Sequence, residues 1–246
     1  MNNMNIPKIM HFTWFQGFED CTYPKEFDKN INAWQQMNPD YEIIRWDEET
    51  LSKLIRDKYP FYYNCWKNLS MCIKKCDMGR LILMLEYGGL YIDCDMMPLR
   101  SINSFLGDKE IYYRKLFLQK DQFYPEYYEY YEAESYAEPV NYDKYDILLS
   151  IENFRHQGEP APITNALMIS KNNESSKKFW QDLIEYMVPY KEGKVLMSFG
   201  THRFGFYFQE HYKTQDFSNV LFLPAYYWLW MDDAYAKRLD PKFVLA

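Results

Sequence analysis

The stretch that most constrains the fold covers residues 76–98 and reads CDMGRLILMLEYGGLYIDCDMMP. Apolar residues recur at helical spacing through its first half, at Met78, Leu81, Ile82 and Leu85. This i, i+3, i+4, i+7 pattern predicts a helix with one face buried on a core. Gly88 and Gly89 then end the helix, because glycine tolerates the left-handed backbone in which helices commonly terminate. A helix followed at once by a tight reversal of the chain is therefore predicted.

The reversal leads into a short predicted strand. Residues 90–92 are Leu, Tyr and Ile, side chains that favour strands, and Asp93 and Asp95 come where the strand should end. Because side chains alternate between the faces of a strand, these two aspartates point the same way, roughly 6–7 Å apart along the chain. That spacing suits a shared polar ligand or cation. An Asp-x-Asp pair by itself is more often a solvated strand end or turn.

Asp77 and Arg80 lie one turn into the predicted helix, at i and i+3, and so on neighbouring parts of its surface. The tight Gly-Gly turn can bring this pair near the end of the strand that follows. A lone pair of this kind is most often a surface ion pair of little energetic weight. The combination of the pair, the turn and Asp-x-Asp is far more specific than any of its parts.

Together these residues resemble the core signature of the Asp-x-Asp sugar-nucleotide glycosyltransferases. That group includes yeast-type initiating α-mannosyltransferases, bacterial capsular transferases and the glucosylating domains of large clostridial toxins. Its pattern is an aspartate, two residues, an arginine, an apolar helix, Gly-Gly-(Ile/Val/Leu)-Tyr and Asp-x-Asp. The chain supplies the pattern in the same order and spacing, with Asp77, Arg80, Gly88, Gly89, Leu90, Tyr91, Asp93 and Asp95. Cys76 departs from the small residue, often serine, that usually precedes the first aspartate.

The resemblance implies a GT-A nucleotide-diphospho-sugar transferase fold, an α/β class with an open central mixed sheet flanked by helices. It implies transfer of a sugar from a UDP- or GDP-sugar donor to a glycan or other hydroxyl acceptor, with retention of anomeric configuration, as in polysaccharide biosynthesis. Mn²⁺ or Mg²⁺ is the expected cofactor, since hard carboxylate oxygens hold such cations. Asp95 is the first candidate metal ligand and Asp93 the second, with a further contact to the ribose or sugar. Asp77 and Arg80 would bind hydroxyls of the donor sugar.

Two further segments carry the resemblance. Residues 6–14, IPKIMHFTW, match the opening Ile-Pro-Lys-Ile-x-His-x-x-Trp, and residues 8–15 predict a buried strand. His11 and Trp14 are thereby implied to bind the donor, with Trp14 matching the tryptophan that stacks on the nucleotide base in the toxin branch. Without the family, core packing is the more frequent role of such a tryptophan. Asn165, in ITNALM, matches the family's Asn-Ala strand near the donor sugar.

The rest of the chain predicts strands and helices in α/β alternation within a single domain of residues 1–246. Helical spacing predicts a helix over residues 27–37, and Asp47 is predicted to cap a helix over residues 48–56. Further strands are expected at residues 41–46, 146–151 and 163–170, and Asn173 or Ser175 is expected to cap the next helix. The Tyr- and Glu-rich stretch of about 112–145 is an insertion or lid facing an acceptor, or equally a solvated loop. Four C-terminal residues align with no family position and leave a third metal ligand open: Trp228, Trp230, Asp232 and Asp233.

Composition excludes some partners. A formal net charge of −7 argues against nucleic acid, whose phosphates are bound by excess Lys and Arg. An acidic chain that handles a nucleotide diphosphate needs a cation to offset the repulsion. The five cysteines are odd in number and form no C-x-x-C pair, which favours reduced thiols and a cytoplasmic location. Neither a signal peptide nor a transmembrane segment is predicted, and peripheral association with a membrane stays open.

Two other classes of protein compete with this interpretation. A phosphotransferase of the haloacid-dehalogenase type also places Asp-x-Asp after an apolar strand, and Asp93 and Asp95 would then carry its chemistry. That family expects its motif near the N-terminus and does not account for Trp14, Asp77 or Arg80. A non-catalytic carbohydrate-binding module fits the aromatic content of 20% but has no need of a complete donor site.

Overall fold

In the computed structural model, the residues described are 5–107, 112–113, 138–139, 141–151, 160 and 162–223. The strands are β1 (Ile9–Thr13), β2 (Glu42–Trp46), β3 (Gly89–Ile92), β4 (Tyr112–Tyr113), β5 (Glu138–Pro139), β6 (Ile147–Ile151), β7 (Ile163–Ser170) and β8 (Val220–Leu223). The helices are α1 (Phe27–Met37), α2 (Glu48–Lys58), α3 (Pro60–Lys67), α4 (Cys72–Tyr87), α5 (Ile102–Gly107), α6 (Glu174–Met187) and α7 (Thr201–His211). Single 3₁₀ turns lie at Tyr142–Lys144, Val188–Tyr190 and Val195–Met197.

Six of these strands form one mixed sheet in the order β2-β1-β3-β7-β6-β8, and β4 pairs with β5 separately. Strand β1 is parallel to β2 and β3, β7 is antiparallel to β3 and β6, and β6 is parallel to β8. The predicted fold class, an open mixed sheet flanked by helices, is confirmed. The arrangement brings the C-terminal ends of β1 and β3 and the N-terminal end of β7 to one edge of the sheet, where open α/β sheets bind their ligands.

Helices cover both faces of the sheet. Alternate residues of β3 enter different cores: Leu90 and Ile92 pack with α1 and α5, whereas Tyr91 packs with α4, α6 and α7. All four residues of β3 are buried, as expected for a strand covered on both faces. The side chain of Tyr91 therefore lies on the same side of the sheet as α4.

Helix α4 differs from its prediction in two respects. It begins at Cys72, before the predicted start of the periodic pattern, and its residues from Asp77 to Leu85 are all buried. More of the helix surface is buried than the single apolar face that the sequence predicts. The reason is that α2 and α6 pack against the sides of α4 that do not face the sheet. Gly79 allows the close approach of α2: a Cβ at this position would lie 3.4 Å from a methyl carbon of Leu51. A helix buried all round is a core helix, which a one-face pattern does not indicate.

The Gly-Gly turn between α4 and β3 requires glycine for two reasons. Both residues have left-handed backbone, with φ of 62° at Gly88 and 77° at Gly89. A Cβ at Gly89 would lie 2.6 Å from the carbonyl oxygen of Ile9, and one at Gly88 would lie 2.9 Å from that of Ser170. The turn therefore packs directly against the backbones of the strands on either side of β3.

Some of the other local predictions are confirmed, and some fall outside the described residues. Helix α1 has the predicted bounds, and the side chains of Asp47 and Asn173 cap α2 and α6 by accepting from the backbone N–H groups of Thr50 and Ser176. Helix α7 and strand β8 were not predicted. Most of the suggested lid at about 112–145 lies outside the described residues, and so do the C-terminal candidates, Trp228, Trp230, Asp232 and Asp233.

All five cysteines are free thiols. Among the helices in the described ranges, none has the length and apolar character that crossing a bilayer would require.

Candidate active site

A cleft opens at the sheet edge formed by the ends of β1 and β3, and the N-terminal half of α4 forms one of its walls. Four of the predicted site residues line it: Trp14, Arg80, Asp93 and Asp95. Asp77 and Asn165 lie behind Arg80, in contact with it. His11 does not line the cleft. The structure thus brings together six of the seven residues that the sequence singled out.

Arg80 connects the two acidic parts of the signature. One terminal nitrogen, Nη2, lies 3.3 Å from Oδ1 of Asp77, and the other, Nη1, lies 3.3 Å from Oδ1 of Asp93. Nη1 also donates to the backbone carbonyl of Asn165 at 3.0 Å. The side chains of Asp77 and Arg80 are only 6% and 7% exposed, so this is a buried ion pair and not the surface pair that i, i+3 spacing usually produces.

Asn165 contacts Asp77 and Arg80 because β7 runs antiparallel to β3. The backbone N–H of Asp93 donates to the carbonyl of Ala166, which places the start of β7 beside the end of β3. The side-chain amide of Asn165 donates to Oδ1 of Asp77 at 3.0 Å. Asn165 thus holds Asp77 with its side chain and Arg80 with its backbone. Its contact with a donor sugar stays a prediction.

A hydrogen-bond relay orients Asp93. The hydroxyl of Tyr91 donates to Oδ1 of Asp93 at 2.8 Å and lies 2.7 Å from Oγ1 of Thr13. Because the single hydroxyl proton of Tyr91 goes to the carboxylate, Thr13 must be the donor in the second bond. Sequence reasoning missed Thr13. Its position at the end of β1, level with the end of the parallel strand β3, is the signal that could have identified it.

The buried charges change one another's proton affinity. Burial raises the pKa of Asp77 to about 6, although the nearby Arg80 opposes this shift. Burial also raises the pKa of Asp93; Arg80 lowers it, and the neighbouring Asp95 raises it further. Burial alone lowers the pKa of Arg80, but Asp93, Tyr91 and Asp77 outweigh it and leave the pKa above its ordinary value. Arg80 therefore keeps its positive charge in the site.

Asp95 contrasts with these residues, because it is exposed and no hydrogen bond or ion pair to it occurs within the described part of the chain. Asp77, Asp93 and Asp95 with Arg80 leave two excess negative charges at the cleft. Asp95 and Asp93 offer the hard oxygen ligands that Mn²⁺ and Mg²⁺ prefer. No cluster of three or more potential ligands occurs among the described residues. Two carboxylates still fit such cations, which often retain waters and bind substrate phosphates.

Trp14 lies at the opposite wall of the cleft. Its ring contacts Tyr23 and Phe27 edge to face, with centroid separations of 5.6 Å and 6.1 Å. Its indole nitrogen is buried and has no hydrogen-bond partner among the residues that the structure describes. The ring is half-buried and reaches the cleft, a position that is compatible with stacking on a base.

His11, in contrast, is fully buried within the protein. Its Nδ1 accepts from the indole N–H of Trp46 at 3.1 Å, so the proton must reside on Nε2, which donates to the carbonyl of Gly88 at 3.1 Å. Both ring nitrogens are thus used in joining β1 to β2 and to the Gly-Gly turn. This geometry supports a structural role for His11 and gives no support to the predicted donor contact.

The buried imidazole predicts a pH dependence of stability. Burial lowers the pKa of His11 to about 4, from 6.5. Below pH 6.5 the imidazole of His11 becomes protonated in the unfolded chain but stays neutral in the folded protein. The free energy of unfolding therefore falls as the pH drops towards 4. We expect His11 to account for a loss of about 2 kcal/mol between pH 7 and pH 4.5. Urea unfolding at several pH values measures it, and His11→Gln should flatten the curve by that amount. Parallel curves for both proteins would contradict the expectation.

Residues 24–112 match the family model described as "Glycosyltransferase sugar-binding region containing DXD motif". The matched part of the chain carries Asp77, Arg80, Asp93 and Asp95. The resemblance stated from the sequence is confirmed.

Named relatives match over the same part of the chain. "Inositol phosphoceramide mannosyltransferase 3" of Schizosaccharomyces pombe is 28% identical over 101 residues, which cover 41% of this chain and 27% of the relative. "Initiation-specific alpha-1,6-mannosyltransferase" of Candida albicans is 26% identical over 113 residues, covering 45% and 29% respectively. The chain thus matches little more than a quarter of the length of these relatives. The solved structure titled "PaToxG Glycosyltransferase" shares 13% identity, with a TM-score of 0.48 over 85% of this chain and 70% of that one.

Proposed function

We propose that this protein is a metal-dependent glycosyltransferase that moves a sugar from a UDP- or GDP-sugar to a glycan or other hydroxyl acceptor, with retention of anomeric configuration. The observation that carries the proposal is that Arg80 joins the buried Asp77 to the partly buried Asp93, directly beside the exposed Asp95, which has no hydrogen bond or ion pair within the described residues. A surface-binding module has no need to bury such a charged set, since burying ions is costly. A site for an oxygen-rich, charged ligand explains it.

Each residue has a role in the proposal. Asp95 and Asp93 hold Mn²⁺ or Mg²⁺, which when bound neutralises charge developing on the nucleotide diphosphate. Asp77 lies behind Arg80, and its Oδ1 already accepts from Arg80 and Asn165, so its Oδ2 is the atom proposed to accept from a donor-sugar hydroxyl. Arg80 has five N–H groups, and its contacts with Asp77, Asp93 and Asn165 use three of them. The Nε–H, which has no hydrogen-bond partner among the described residues, and the second N–H of Nη2 are left to donate to the sugar. The relay from Thr13 through Tyr91 keeps Asp93 oriented before the donor arrives.

The relatives guide the choice of donor. Both are named as mannosyltransferases, which makes GDP-mannose the first GDP-sugar to test.

We assign the protein to a cytoplasmic, reducing compartment. The support is the cysteine content, an odd number of thiols without a C-x-x-C pair.

A panel of UDP- and GDP-sugars tests the proposal. Hydrolysis of each donor and the thermal shift that it causes are measured with Mn²⁺ and after chelation of the metal. We expect one nucleotide class to raise the unfolding temperature and to be hydrolysed slowly in the presence of Mn²⁺ only. Turnover of a generic phosphate ester, with no effect of any nucleotide-sugar, would favour a phosphotransferase and contradict the proposal.

Trp14→Ala tests base stacking. Because aromatic stacking on a base contributes about 1–3 kcal/mol, the variant should bind the nucleotide roughly 5- to 150-fold more weakly. Trp14→Phe keeps an aromatic face and should retain most of the affinity. Isothermal titration calorimetry with UDP and GDP provides the measurement. Unchanged affinity in a folded Trp14→Ala protein would assign Trp14 to the core.

A further inference from the structure

The segment that follows β3 carries Asp95 but has no regular secondary structure. Residues 93–101 form only turns and bends before α5 begins. A segment without a ladder of backbone hydrogen bonds needs other partners to hold one conformation. Inside the segment, the N–H of Met96 donates to the carbonyl of Asp93, which closes a single turn around Asp95.

Helix α1 supplies three further partners from one stripe of side chains. The amide of Asn30 donates to the carbonyl of Cys94 at 3.0 Å, and the indole N–H of Trp34 donates to that of Met96 at 2.9 Å. At the end of the helix, Oδ1 of Asn38 accepts from the N–H of Ile102 at 2.7 Å. These three residues are spaced i, i+4 and i+8, and therefore lie on one side of α1.

The first two contacts lie on either side of Asp95. They hold the carbonyl of the residue before it and the carbonyl of the residue after it. The neighbouring side chains, Cys94 and Met96, are 5% and 7% exposed and anchor the turn in the core beneath α1. Asp95 is thus an exposed carboxylate on a backbone that is held on both sides.

We propose that Asn30 is a positioning residue for the metal ligand Asp95, acting together with Trp34 through the carbonyls of Cys94 and Met96. The inference rests on the proposed function, in that it assumes that Asp95 binds the cation. Side chains that hold a ligand in place without touching the metal commonly change metal affinity 10- to 100-fold when they are replaced. Nothing in the Asp-x-Asp signature includes Asn30, which lies 64 residues before the carbonyl that it binds.

Asn30 is the member of the stripe that can be replaced without opening the core. Trp34 is fully buried, so its loss would create a large cavity, whereas Asn30 is half-buried. Asn30→Ala removes the donor, and Asn30→Leu removes it at similar volume, which separates the hydrogen bond from packing. Asn32→Ala, an exposed position on the same helix, is the matched control.

The experiment titrates Mn²⁺ by calorimetry into protein saturated with UDP and, separately, with GDP. Thermal unfolding is measured in parallel without metal. We expect both Asn30 variants to bind Mn²⁺ about 10-fold more weakly, with unfolding midpoints within about 4 °C of the wild type, as the loss of one hydrogen bond allows. Asn32→Ala should match the wild type in both measurements.

The outcomes separate the two proposals. Wild-type Mn²⁺ affinity in the Asn30 variants, with or without a lowered midpoint, would show a merely structural contact and overturn this inference alone. A wild-type protein whose nucleotide binding is indifferent to Mn²⁺ would overturn the proposed function, and this inference with it.

Discussion

Asp95→Asn is expected to leave the protein folded and to abolish Mn²⁺-dependent donor hydrolysis and transfer. The folded state should hardly change, because Asp95 is exposed and no hydrogen bond or ion pair to it occurs within the described residues. Substitutions at such positions usually alter stability by no more than about 0.5 kcal/mol. Activity should fall by about 100-fold or more, since a neutral amide is a poorer ligand for a hard cation that supplies several kcal/mol.

Calorimetry of UDP and GDP with and without Mn²⁺ measures the effect directly. Asp93→Asn should be comparably inactive but keep some binding of the metal and nucleotide, because Asp93 is the second metal ligand in the proposal. Asp143→Asn, at an exposed position in the 3₁₀ turn Tyr142–Lys144, is the control for losing one negative charge and should behave as the wild type. Nucleotide binding that needs no metal and ignores Asp95→Asn would show that the two aspartates merely end a strand.

Arg80→Lys is expected to reduce transfer much more than binding of the bare nucleotide. Lysine keeps the charge but has one ammonium group, which cannot reproduce the planar fork that reaches Asp77, Asp93 and the carbonyl of Asn165 together. The groups that contact the sugar would be displaced, while those that bind the nucleotide stay in place. A larger loss in kcat than in nucleotide affinity is therefore expected.

The substitution should also destabilise the protein, by about 2 kcal/mol, because it leaves buried polar groups with fewer partners. Lys74→Met provides a control for that effect. Lys74 is another buried cation of α4, and its ammonium donates to the carbonyls of Lys191 and Gly193, away from the cleft. Comparable destabilisation with normal transfer is expected of this control. Equal losses of transfer and nucleotide binding in Arg80→Lys, or the same loss of transfer in Lys74→Met, would make the role of Arg80 purely structural.

Several features could be predicted from the sequence because they depend on neighbouring residues. The bounds of α1 follow from apolar spacing and the Asn-Pro-Asp that follows it, and Asp47 is recognisable as a cap by its place before a helical pattern. For α6 the sequence left Asn173 and Ser175 as alternatives, and the structure shows that Asn173 is the cap. The Gly-Gly turn and the Asp-x-Asp pair are equally local. A family resemblance then linked these local signals into a site, and the matched region carries four of its residues.

Other features depend on residues that the chain brings together from far apart. Thr13 and Tyr91 are 78 residues apart and meet because β1 and β3 are parallel neighbours, while Asn165 reaches Asp77 from 88 residues away because β7 is antiparallel. The strand order cannot be predicted from periodicity or spacing. The packing around α4 could not be predicted for the same reason, since the helices that cover its other sides come from both earlier and later parts of the chain.

The sequence by itself therefore determined the class of fold, the caps and turns, and the identity of the carboxylates and arginine. The helices, strands, caps and turns follow from backbone preferences and short-range side-chain patterns, whereas the carboxylates and the arginine were identified through the family resemblance. Only the tertiary structure decided that Arg80 bridges the buried Asp77 and the partly buried Asp93, and that His11 is committed to the core. It also decided that Asp95 is exposed, with no hydrogen bond or ion pair within the described part of the chain. Burial and hydrogen-bond partners decide the charge and reach of a side chain, and both are properties of strand order and packing between distant segments.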